Sequence, residues 1–66
     1  MKTEIFLKVN TEDINYINRV MEGYEYLGVV STHDKKEGII VIRTTPDMFD
    51  EVKLILDNLD VNFTYL

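Results

Sequence analysis

His33 stands beside Asp34, and this is the only place in the chain where an imidazole neighbours a carboxylate. A carboxylate that orients an imidazole is the minimal arrangement for a general base or a metal ligand. The pair sits, however, in His33-Asp34-Lys35-Lys36-Glu37-Gly38, a polar stretch of hairpin length that reads as a solvated turn. There is one His and no Cys, which excludes a disulfide, a thiolate nucleophile and an ordinary structural zinc site. Two clusters of carboxylates open helical segments: Glu12 with Asp13, and Asp47 with Asp50 and Glu51. Each falls in the first turn of an amphipathic segment, where negative charge favours the helix dipole and needs no acid–base role. No catalytic residue, no metal ligand and no cofactor is expected.

These residues must be positioned by a short chain. Its 66 residues allow one domain, spanning 1–66, and a core near the lower limit of self-sufficiency. An apolar content of 45% without low-complexity tracts argues for a folded globule. Seven Lys and Arg against twelve Asp and Glu give a net charge of -5, and the cations are scattered. Such a surface repels phosphate backbones and anionic headgroups, so neither nucleic acid nor membrane is expected as a partner. Met1-Lys2-Thr3-Glu4 leads into a strand pattern rather than a signal peptide, and no apolar run approaches bilayer length. The expected location is the cytoplasm.

Glu4–Val9 alternates with Ile5, Leu7 and Val9 on one face, the period of a half-buried strand. Asn10 and Thr11 offer helix caps, and Ile14, Ile17, Met21 and Tyr24 follow at helical spacing, with Gly23 suited to a left-handed C-terminal cap. Residues 26–32 read as a second strand, turning through 33–38 into a third, Ile39–Thr44. Thr45-Pro46-Asp47 is a helix start, and Met48, Phe49, Val52, Ile55, Leu56 and Leu59 mark the buried face of a second helix that ends at Asn58–Asp60. Val61, Phe63 and Tyr65 alternate as a fourth strand. The order β-α-β-β-α-β, closed by right-handed crossovers, predicts an α+β ferredoxin-like sandwich: an antiparallel sheet in the order 4-1-3-2 with both helices on one face.

That fold hosts many functions, and the first loop excludes two of them. A metal chaperone needs paired Cys there, and an acylphosphatase-like enzyme needs a phosphate cradle with a placed Arg. An RNA-recognition module needs stacked aromatics in a basic surround, which Phe6 alone does not supply. The surplus is instead apolar. Ile39–Ile42 is an unbroken run, as in a central strand covered on both faces. If Ile40 and Ile42 face the helices, Ile39 and Val41 join Phe6 on the outer face; the opposite registry exposes Ile40 and Ile42. With either Val29 or Val30 added, the patch approaches the size of an interface. Phe6, Val29, Val30, Ile39 and Val41 are therefore the interface candidates, and the edge formed by strand two is a second route to self-association.

The opening Ile5-Phe6-Leu7-Lys8-Val9, the start Thr11-Glu12-Asp13-Ile14, the passage from Gly23-Tyr24 to Leu27-Gly28-Val29-Val30, Gly38 and Thr45-Pro46-Asp47 together resemble the ACT-like families, and in particular a family of short bacterial proteins of unknown function. The resemblance covers nearly the whole chain. It implies dimerisation, and ligand binding where the first strand meets the first helix, with Asn10 and Thr11 the candidate ligand-binding residues; here Asn10-Thr11-Glu12-Asp13 replaces the Gly-bearing loop of amino-acid sensors. The expected function is non-enzymatic association, as a homodimer or with another protein as an accessory subunit. The alternative is a regulatory sensor with a small-molecule, amino-acid-type effector.

Overall fold

Alternation from Glu4 to Val9 becomes strand β1, and the computed structural model, which describes residues 2–66, continues through a 3-10 turn at Thr11–Asp13 into helix α1 (Ile14–Glu22). Strands β2 (Gly28–Asp34) and β3 (Ile39–Thr44), helix α2 (Phe49–Asp57) and strand β4 (Phe63–Tyr65) follow. Met1, the first residue of the Met1–Glu4 lead-in to β1, lies outside the described residues. The sheet is antiparallel in the order β2-β3-β1-β4, the expected 4-1-3-2 read from its other end. This is the α+β ferredoxin-like arrangement.

The register resolves which side of β3 meets the helices. Ile5 pairs with Ile42 and Leu7 with Ile40, so these four share one face. They are buried in a single core with Val9, with Ile14, Ile17 and Met21 of α1, and with Val52 and Leu56 of α2. Val41 therefore points the other way. It is nonetheless only 2% exposed, so the central strand is covered on both sides, as its unbroken apolar run implies.

Boundaries differ from expectation where the chain meets its neighbours. Asn10 makes no side-chain cap bond; the first turn is closed by the Asp13 N–H donating to the Asn10 carbonyl at 2.9 Å. Gly23 is right-handed (φ -70), not the left-handed cap its position invites. The helix unwinds instead through turns to Leu27, whose N–H donates to the Tyr24 carbonyl and whose side chain is buried. Strand β2 consequently begins at Gly28 rather than Tyr26, and Tyr26 is left in solvent. Thr45–Met48 forms a separate turn, with the Met48 N–H on the Thr45 carbonyl, and α2 begins only at Phe49 without a side-chain cap. Strand β4 is two residues shorter than expected because its register sets Phe63 opposite Val9; Val61 would fall opposite Thr11, where the partner strand has already turned away.

Among the described residues, the only glycine with positive φ is Gly38, at the end of the β2–β3 turn (φ 72). Its carbonyl accepts from the Val9 N–H at 2.8 Å, and a Cβ there would lie 2.1 Å from the Val9 carbonyl oxygen. Only glycine permits both the conformation and the approach.

Candidate functional site

The sheet face turned away from the helices carries Glu4, Phe6 and Lys8 from β1, Ile39, Val41 and Arg43 from β3, and Val29 and Ser31 from β2, as the pairing of these strands requires. Charges flank it. Arg43 Nε donates to Glu4 Oε2 at 3.3 Å, and Lys8 Nζ lies 3.8 Å from Glu37 Oε2. Both pairs are exposed, so they neutralise the rim and add little stability.

At the centre, His33 and Phe6 meet edge to face with ring centroids 5.6 Å apart. Phe6 lies on β1 and His33 on β2, and β3 runs between them, so the two rings roof the intervening strand. That roof accounts for the burial of Val41, which pairs with Phe6 on one side and Ser31 on the other. His33 is thus part of β2 at its bulge between Thr32 and Asp34, not a turn residue; the hairpin begins later, at Lys35. Its ring contact joins strands two apart in the sheet, which no local pattern could reveal.

Of the five interface candidates, Phe6, Ile39 and Val41 lie together on this face, with Phe6 and Ile39 half-buried. Val29 stands beside them, 61% exposed. Val30 pairs with Ile42 and packs against the core on the helix side, so it leaves the outer patch to Val29. Leu66 was missed: its N–H donates to the Phe6 carbonyl at 2.9 Å, which places it beside β1 on this face, and it is 66% exposed. The even positions of the β4 alternation were the available signal. Strand β2 forms one edge of the sheet and the three-residue β4 the other.

Asn10 and Thr11 are exposed, and Asn10 joins Lys8, Val9, Asn62, Phe63 and Thr64 around a shallow hollow of about 280 Å³. On the same edge strand, Tyr65 donates its hydroxyl to Asp57 Oδ1 at 2.6 Å, while Lys53 Nζ lies 4.9 Å from the Tyr65 ring centre. Burial, then the hydrogen bond and the negative charge of Asp57, push the Tyr65 hydroxyl well above the ordinary tyrosine range. Among the described residues, no three His, Asp or Glu side chains gather in a group that could hold a metal ion. No helix in them is long and apolar enough to cross a membrane.

The family model described as "Domain of unknown function (DUF4911)" matches residues 7–62, from the middle of β1 to the approach to β4. The chain belongs to this family. No curated protein and no solved structure matches it. The matched span of this DUF4911 domain takes in the whole of β2, the turn that depends on Gly38, and both helices, so it includes the free edge as well as the core.

Proposed function

We propose that this DUF4911 domain is a non-enzymatic, ACT-like association module that works in the cytoplasm as a homodimer, alone or as an accessory subunit of a larger complex. The observation that carries the reading is the free edge of β2. Gly28–Thr32 runs along it without a charge or a proline, whereas the other edge is only three residues long. Monomeric proteins guard such edges with Lys, Pro, bulges or brevity, because unpaired backbone groups accept another strand. Here the bulge and Asp34 guard one end only. Antiparallel pairing of β2 with its copy across a two-fold axis is self-complementary and removes both edges at once. It also covers Val29 in each protomer, a burial that stabilises by up to about 1.5–3 kcal/mol per side chain.

Sedimentation equilibrium at micromolar concentrations tests this. A dimer is expected, and Val29→Lys combined with Ser31→Lys is expected to weaken it at least tenfold, about 1.4 kcal/mol, by setting like charges about the axis. A monomer for the unmodified chain throughout contradicts the proposal.

A second reading, a sensor for an amino-acid-type effector, draws on Asn10, whose side chain makes no cap bond and faces the hollow beside β4. A thermal-shift panel of amino acids checks it. The expected outcome is a raised melting temperature with at least one compound, lost in Asn10→Ala; a flat panel contradicts it.

A further inference from the structure

The carboxylates are unevenly distributed. The two crossovers that carry the helices, residues 10–27 and 45–62, hold nine of the twelve Asp and Glu but only Arg19 and Lys53 of the seven cations. The strands, the hairpin turn and the N-terminal segment hold the other three carboxylates and five cations, of which Lys2 reaches the helix side, its ammonium 5.6 Å from the ring centre of Phe49 at the start of α2. Since both helices cover one face of the sheet, that face is strongly acidic, whereas on the opposite face the Arg43–Glu4 and Lys8–Glu37 pairs offset one another. Lys53 does not offset this field between the helices, because its ammonium is drawn to the Tyr65 ring beside β4.

Within the acidic layer lies an apolar groove. Val20 and Tyr24 from the α1 side and Leu54, Ile55 and Leu59 from the α2 side, with Asn58, enclose about 350 Å³ between the helices. Leu54 is 62% exposed and Tyr24 38%. Asp50 and Glu51, both exposed, stand one helical turn before Leu54 and Ile55 and so share their faces.

We infer that this groove docks a basic amphipathic helix of a partner protein. A cleft between two helices accepts a third at ordinary packing distance, with apolar anchors every three or four residues seated on Val20, Leu54 and Leu59. Lys and Arg on the flanks of that helix meet Asp50 and Glu51, and the field of the whole layer speeds encounter. A second copy is disfavoured as occupant, because its helix layer carries the same charge and its other face presents strands rather than a helix. The groove lies on the face away from Val29, so the inference does not depend on the dimer.

The probe is a fluorescein-labelled designed peptide of Leu and Lys at helical spacing, titrated by anisotropy against the full chain at low and moderate salt. Saturable binding is expected, about tenfold weaker or worse for the same residues shuffled out of register and for Leu54→Gln. Asp50→Asn with Glu51→Gln is expected to flatten the salt dependence. Leu54 is exposed, so its replacement leaves the core intact. Failure of the ordered peptide to bind overturns the inference. So does equal binding of the shuffled peptide, or an unchanged affinity in Leu54→Gln. If Leu54→Gln instead alters self-association, the groove belongs to a second copy and the inference also falls.

Discussion

Gly38 holds the hairpin against β1, and it does so by two features that no other residue reproduces. An alanine there takes on a left-handed conformation costing about 1–2 kcal/mol and drives its Cβ into the Val9 carbonyl. Urea unfolding of Gly38→Ala is expected to show a loss of about 2 kcal/mol or more. Tyr65 supplies a second test at this scale. Its folded-state acidity is weakened by burial and by Asp57, so the native state holds the phenolic proton more tightly than the unfolded chain does. The contribution is complete below pH ~10 and is lost as pH rises above that value. Tyr65→Phe is expected to flatten the fall of melting temperature on the alkaline side, and an unchanged slope contradicts the assignment. Turn chemistry made Gly38 recognisable from sequence. Gly23, whose position invites a left-handed cap, is right-handed, and the chain runs on through turns that end with Leu27 buried in the core.

Strand β3 is the element on which the core and the outer face both depend. Ile40 and Ile42 meet the helices, while Val41 is sealed by the Phe6–His33 roof. Ile40→Ala is expected to cost about 2–5 kcal/mol in denaturant unfolding. A chain of this length has a net stability of about 3–10 kcal/mol, so the variant should lie near or beyond the folding threshold. The elements and their order followed from periodicity: alternation for β1, the spacing of Ile14, Ile17 and Met21 for α1, the four-residue run for β3. Their ends did not follow. The late start of α2 and the short β4 are set by turns and by register against a partner strand, which are long-range facts. The face of β3 also stayed open until its pairing with β1 placed Ile40 opposite Leu7.

At the scale of the molecule, 66 residues without a disulfide build one core, leave one long edge unpaired and concentrate negative charge on one face. The first was expected from composition. The charge asymmetry was hidden because the cations and carboxylates interleave along the chain and sort only when both crossovers fold onto one side of the sheet. The site was readable in part for the same reason: Phe6, Ile39 and Val41 share a face because strand periodicity puts them there, whereas His33 and Leu66 join it through pairing alone. If β2 pairs with its copy, the stable unit is an extended sheet with its acidic helices all on one side. The most direct test is an isotope-filtered NOE experiment on a mixture of labelled and unlabelled chains. Cross-protomer contacts are expected among Gly28–Thr32, with Val29 the strongest side-chain signal. Contacts confined to Leu54 and Tyr24, or no cross-protomer contacts at concentrations well above the micromolar range, would contradict association through β2.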